Sequence, residues 1–244
     1  MFWIVENHKQ LDLFLRLDYD AVFMEPILGN DNIHPSLNEV IALYIRGINS
    51  SKGYILPFNH SETTSVPKFP LNYNKVYVRN KKLCTYFFQT KNFKDLHFLG
   101  DFNEDNTTRA HQHLYVNYAV KRDINRIVPI VKHYEKCESI FNEVKHLFEK
   151  DEPKHFNFFN TGATNCFYWV EKNGIGVDKN LLKEKLELNE DVYSLNGKSI
   201  YSQYNLYTTT KRPSNSFNGV NYAALNKENG TRKSFIPKND ELIE

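Results

Sequence analysis

The first hundred residues alternate short apolar runs with turn clusters, the spacing of a sheet rather than of a helical bundle. Residues 20–28 (DAVFMEPIL) form one such run, and Gly29-Asn30-Asp31-Asn32 is a turn cluster after it. Asn38 to Ile45 is apolar and partly β-branched, and Gly53 to Phe58 is a third run, interrupted at Pro57. Residues 20–60 therefore predict strand, turn, strand, strand. Residues 75–90 (KVYVRNKKLCTYFFQT) predict a further strand and a helix or strand. From about 106 to 150 the period changes. Ile124, Ile127, Val128, Val131, Tyr134, Cys137, Ile140, Phe141 and Val144 recur at spacings of three and four, one apolar helical stripe. Asp123 or Asn125 is a candidate cap, and Pro129 suits an early turn or a kink. Residues 161–187 are helical again, broken at Asn173-Gly174-Ile175-Gly176, with Asp178 placed to cap LLKEKLEL. Beyond Tyr193 the chain is turn-rich with short strands, and no repeat is visible.

Length and composition narrow the class. A chain of 244 residues with 41% hydrophobic and 25% charged residues is an ordinary globular chain of one large or two small domains. No stretch approaches the roughly 18 apolar residues of a membrane span, and the N-terminus does not resemble a signal peptide. Cys84, Cys137 and Cys166 are scattered, which disfavours a disulfide framework and fits a reducing cytoplasm. The 15 Tyr and 18 Phe fit either an AT-rich genome or base-stacking surfaces, so alone they decide nothing. Charge is more informative. Residues 198–238 carry seven basic groups and the single acid Glu228, a balance of +6 within a chain whose net charge is +2. A basic, Ser/Thr/Asn-rich segment suits phosphate contacts through charge, hydroxyls and amides.

Several residues are candidates for chemistry. Glu25 lies late in an apolar strand, where a two-metal nuclease would place an acid for Mg²⁺. Such a site needs converging carboxylates, and Asp31, Asp101, Glu104 and Asp105 are available, although no spacing in the sequence assigns them. His111 and His113 would share one side of a strand but diverge on a helix, and read as ordinary surface or core histidines. His34 and His60 fall in loops without a nameable partner. Neither phosphate-cradling glycine loop is present. Within 198–237, Arg212 offers a planar fork to a phosphate or base edge, and Ser214, Asn215 and Asn221 offer neutral hydrogen bonds. Arg232 and Lys233 add charge.

The run TTTKRPSN, then VNYAALNKENGTRKSFIP, then DELIE resembles the start of the palm of family A, DNA polymerase I-like, DNA polymerases of the phage type. That family carries a Thr-Gly-Arg-x-Ser segment, an Asn-bearing stretch, an Arg-x-x-Phe strand and then the strand of the first catalytic Asp. YWVEKNGIGVD (168–178) resembles the family's Glu-x-Asn-Gly segment, and the helix containing IVPIVKHYEKCE is also similar. The resemblance touches most of the chain, most closely over 124–178 and 200–237.

The resemblance implies an α/β chain in three parts. Residues 1–115 would be an RNase H-like, 3′–5′ exonuclease-like domain, 116–192 a helical connector, and 193–244 the beginning of the palm. It implies primer-template DNA and dNTPs as partners of the full enzyme, and Mg²⁺ as its cofactor. Arg212 would contact primer-template near the growing end. Asn221, Asn226 and Arg232 would lie toward the template and the incoming nucleotide. Lys211 stands where the family has Gly. Where the family's first metal motif reads Asp-x-Glu, this chain reads Phe23-Met24-Glu25, and Phe cannot ligate a metal, so the resemblance implies a degenerate exonuclease. The catalytic palm aspartates would lie beyond Glu244, so these 244 residues are expected not to polymerise alone. Two alternatives stand beside this reading, a non-catalytic DNA-binding protein derived from such a polymerase and an active 3′–5′ exonuclease.

Overall fold

The computed structural model describes residues 3–31, 34–88, 92–100, 124–186, 195–196, 199–208, 212–215, 225–226 and 228–238. The chain opens with helix α1 (His8–Leu15), capped by the Asn7 side chain, which accepts the Gln10 amide at 2.9 Å. Strands β1 (Ala21–Leu28), β2 (Val40–Gly47) and β3 (Gly53–Pro57) follow as an antiparallel meander. These are the three runs expected from the sequence. Strand β4 (Lys75–Val78) then pairs parallel to β1, and β5 (Phe93–Asp95) parallel to β4. The sheet order is β3-β2-β1-β4-β5. The fold is thus mixed α/β around a central mixed sheet.

Both faces of this sheet are covered, which is why β2 (VIALYIRG) is almost uninterruptedly apolar. Side chains alternate along β1. Phe23 and Ile27 enter one core with residues of 130–156, while Val22 and Met24 enter another with Leu11, Phe14 and Cys84. Helix α2 (Lys81–Phe87) supplies Cys84, and the one-turn helix α3 (Leu96–Leu99) follows β5 directly. The apolar stripe predicted over 124–148 becomes a 3₁₀ turn at Ile124–Ile127 and helix α4 (Ile130–Val144). Its buried residues, including Tyr134, Cys137, Phe141 and Val144, pack on the first face of the sheet. Neither expected cap acts there. Asp123 lies outside the described residues, Asn125 donates its amide to the Leu28 carbonyl, and Glu62 accepts the Ile130 amide instead. Pro129 immediately precedes the helix, as its fixed φ favours.

A π-helical turn at Phe158–Ala163 runs into helix α5 (Thr164–Asn173). Gly174 ends it at φ 61° and ψ −177°, a conformation open essentially only to glycine. Strand β6 (Ile175–Gly176) and helix α6 (Lys179–Leu186) come next. Asp178 caps α6 as expected, accepting the Asn180 and Leu181 amides at 3.0 and 3.1 Å. Strands β7 (Leu195–Asn196) and β8 (Ser199–Ile200) complete a three-stranded sheet in the order β6-β8-β7. Strands β9 (Tyr204–Asn205) and β10 (Ser214–Asn215) pair antiparallel. Val177, Leu182 and Ile200 form a small core of their own, joined by Leu225 and Phe235. Among the described residues no helix is long and apolar enough to cross a membrane.

Candidate functional site

Strands β1, β4 and β5 run parallel, and polar residues cluster toward their carboxyl ends, where open α/β sheets place their ligands. The β1–β4 ladder stops at Phe23–Tyr77, so beyond it β1 keeps only β2 as a neighbour. Pro26, which has no N–H to give, falls in that stretch. Arg79 follows β4 directly and lies beside Glu25. Its Nη2 donates to Oε1 at 2.5 Å and its Nε to Oε2 at 3.1 Å, a two-pronged ion pair. Burial disfavours the Arg79 cation, but Glu25 more than offsets it, so the guanidinium is held charged above its ordinary range.

Phe23 belongs to the main core. Its ring meets Tyr44, Phe141 and Phe148 at centroid distances of 6.2, 5.7 and 6.2 Å. The place where a first carboxylate would stand is therefore filled by an aromatic cluster, and the remaining acid is neutralised by an arginine. Mg²⁺ needs several oxygen ligands in a near-octahedral arrangement, and this pair of residues does not fit it. Among the described residues no group of three His, Cys, Asp or Glu could hold a metal. Of the other carboxylates considered, Asp31 is an exposed turn residue, while Asp101, Glu104 and Asp105 lie outside the described residues, as do His111 and His113.

Sequence reasoning missed two buried acids, Asp95 and Glu171. Asp95, at the end of β5, is fully buried. Its carboxylate accepts the Lys81 amide at 2.7 Å, the His97 amide at 3.0 Å and the Tyr207 hydroxyl at 2.7 Å. Burial pushes its pKa up to about 7, against the donors that favour its charged form. Glu171 on α5 is 2% exposed and forms an ion pair with Lys82. It also accepts from the Tyr86 hydroxyl at 3.1 Å and the Tyr204 amide at 2.6 Å. Lys82 donates as well to the Tyr204 carbonyl. Burial lowers the Lys82 pKa and raises that of Glu171, while each holds the other charged. Both acids thereby tie the segment around β9 onto the sheet. A Lys-Lys pair in sequence normally reads as surface, so the one local signal was Asn80, whose side chain caps α2 by accepting the Leu83 amide at 2.9 Å.

His34 and His60, which lacked partners in the sequence reading, are both buried and bonded. His34 accepts the Ser36 amide through Nδ1 at 3.1 Å, and its ring packs against Tyr86 and Tyr201. His60 bonds the Val128 carbonyl through Nε2 at 2.9 Å.

The residues expected to meet DNA fall on two supports. Ser214 and Asn215 form β10, in register with Asn205 and Tyr204, and Arg212 precedes them, its carbonyl accepting the Thr208 hydroxyl at 2.7 Å. Arg212 and Ser214 are exposed. Asn226 and Arg232 are exposed on the second support, beside the small core that Leu225 and Phe235 enter. Arg232 lies in a 3₁₀ turn, Thr231–Ser234, introduced by Gly230 at φ 77°. That turn is docked on β6. Asp178 donates its amide to the Ser234 carbonyl at 2.8 Å, Ile236 donates to the Gly176 carbonyl at 3.0 Å, and Val177 bridges Phe235. Asn221 and Lys211 lie outside the described residues.

No protein-family model matches the chain, and no curated protein matches it. Among solved structures, Brucella melitensis NrnC aligns over 69% of this chain and 87% of its own, with 8% identity and a TM-score of 0.32. Brucella melitensis NrnC with bound Mg²⁺ aligns over 62% and 81%, with 7% identity and a TM-score of 0.29.

Proposed function

We propose that the chain is a DNA-holding portion of a family A-type DNA polymerase, in which the five-stranded sheet is an RNase H-like exonuclease domain without nuclease chemistry. The observation that carries this reading is the Glu25–Arg79 ion pair at the carboxyl end of β1. It stands in a sheet whose order, β3-β2-β1-β4-β5 with β2 antiparallel to the rest, is that of RNase H-like folds. The stretches that most resemble the polymerase family, 124–178 and 200–237, support it further, because residues 176–178 of the first are hydrogen-bonded to residues 234–236 of the second. In this reading primer-template DNA lies along the exposed faces bearing Arg212 and Arg232, and Mg²⁺ and dNTPs belong to the palm of the complete enzyme.

The test has two arms. End-labelled single-stranded DNA incubated with the protein and Mg²⁺ or Mn²⁺ stays at full length, and a ladder above the buffer control overturns the loss of nuclease chemistry. Primer-template binding at low salt weakens on Arg212→Ala and on Arg232→Ala, each lowering the salt slope by about 1 as a lost phosphate contact does. Unchanged slopes for both overturn the placement of DNA.

A further inference from the structure

Residues 156–173 bury one face and leave the other uncovered. Phe156, Asn160, Thr164, Tyr168 and Glu171 are buried, while the pairs 157–158, 161–162, 165–166, 169–170 and 172–173 are all exposed. Two of the exposed side chains are large aromatics, Phe158 at 66% and Trp169 at 57%. Both are braced from below. Phe158 stands edge-on to Phe159 at 5.1 Å, and Phe159 packs on the core residue Phe98. Trp169 stands edge-on to Tyr168 at 5.5 Å, and Tyr168 is edge-on to Tyr86 at 4.9 Å. Lys172 lies over both Tyr168 and Trp169, at 5.2 and 5.5 Å from the ring centroids, and takes the Tyr168 hydroxyl as acceptor at 2.8 Å.

The charge of this face points to one kind of occupant. Between Pro153 and Val177 the only acid is Glu171, which is turned inward to Lys82. Within 153–177 the outer face thus carries the exposed Lys154 and Lys172 and no acid of its own. Rigid aromatic rings next to ammonium groups, with amides between, suit flat bases joined by phosphates. A partner recognised through an apolar surface alone would gain nothing from the two ammonium groups. The two rings are roughly 15 Å apart along the axis, reckoned from the helical rise. The π-helical turn beginning at Phe158 departs from regular helix at this face, as such turns frequently do at functional sites.

We propose that this face is a binding site for single-stranded nucleic acid, with one base stacked on Trp169, another on Phe158, and a phosphate at Lys172. It adjoins the first support, since Tyr204 of β9 donates its amide to Glu171 and packs on Phe167. Its own side chains, Phe158, Trp169 and Lys172, are distinct from Arg212 and Arg232, so the two readings are tested by different substitutions.

The two tryptophans of the chain, Trp3 and Trp169, make the test direct. In a Trp3→Phe background Trp169 is the sole indole reporter. Oligo-dT titrated at low salt quenches its fluorescence, and added salt reverses the quench. Anisotropy of a labelled oligo-dT then shows Trp169→Ala binding about fivefold or more weakly than its parent, the lower end of the loss typical of one stacked base. Phe158→Ala weakens binding in the same direction, and Lys172→Gln flattens the salt dependence. Circular dichroism of each variant matches its parent. The proposal is overturned if Trp169→Ala and Phe158→Ala both bind as their parent does. It is equally overturned if Trp169 is unquenched while the oligonucleotide binds, or if sedimentation shows this face already covered by a second copy. Because only single strands are used and Arg212 is intact, those outcomes leave the primer-template reading standing.

Discussion

Single side chains set what the strand ends can do. Arg79 and Glu25 neutralise each other in a half-buried position, and removing one leaves the other charged against apolar neighbours. Arg79→Ala is expected to cost about 2 kcal/mol in urea unfolding, below the value for a fully buried pair because Arg79 retains some solvent. Replacing both partners, Arg79→Met with Glu25→Gln, recovers most of that loss. An additive double variant would show that the pair is not coupled.

The buried His34 and the half-buried His97 give a second effect at this scale. Burial lowers His34 to about 4, with Lys82 adding to it, and lowers His97 to about 4, with Arg79 adding to it. A histidine depressed by folding keeps the native state stable above its unfolded pKa of 6.5 and loses that contribution as pH falls toward 4. Each is worth about 3 kcal/mol over that range, at 1.36 kcal/mol per pH unit. Asp95 works the other way. Raised to about 7, it favours the native state as pH falls from 7 toward 3.8, by about 4 kcal/mol. With two histidines acting against one aspartate, stability is expected to fall as the pH drops from 7 to 4. Urea midpoints that rise over that range would contradict the assignment of these groups.

Elements differ in how plainly the sequence announced them. Strands β1 to β3 were legible because each is an apolar run bounded by turn residues, and α4 because its stripe persists over four turns. The Gly174 stop and the Asp178 cap were legible because each acts within a few residues. What binds elements together was not legible. Glu25 and Arg79 are 54 residues apart, and a parallel crossover leaves no local mark of which residues become neighbours. Lys82 and Glu171 are 89 residues apart, and a charged side chain next to a lysine, as each of them is, suggests solvent. The π-helical turn also has no periodic signature of its own.

Gly176 shows how such a long-range contact is enforced. A Cβ there would collide with the Ile236 carbonyl oxygen, backbone that cannot swing aside. Gly176→Ala is therefore expected to push residues 234–236 off β6. It should expose the 3₁₀ turn to proteolysis while leaving the five-stranded sheet cooperative. Limited digestion measures this, and an unchanged cleavage pattern would mean that the docking survives without the glycine.

Across the whole molecule, sheet and C-terminal segments share one interior. Leu206 enters the main core, and Tyr204 and Tyr207 satisfy the two buried acids, so the stretch from β8 to β9 is held from the sheet side. The exposed residues that follow, Arg212 and Ser214, are thereby presented from an anchored base rather than from a free tail. For the primer-template contact proposed above, that anchorage would set the register, since phosphate contacts fix position only as well as their support does.

The two tyrosines near β9 also decide where this protein can be cut. The Tyr204 backbone and the side chains of Leu206 and Tyr207 act as a plug supplied from beyond residue 192, the point at which sequence resemblance would divide connector from palm. A fragment ending there would uncover Asp95 and Glu171 in the interior and open a hole where Leu206 sat. Such a fragment is expected to be recovered mainly from inclusion bodies, whereas one ending after residue 208 is expected to be soluble and to melt cooperatively. Comparing the yields of the two fragments would show that the smallest folding unit extends past the sheet into the segment that follows it.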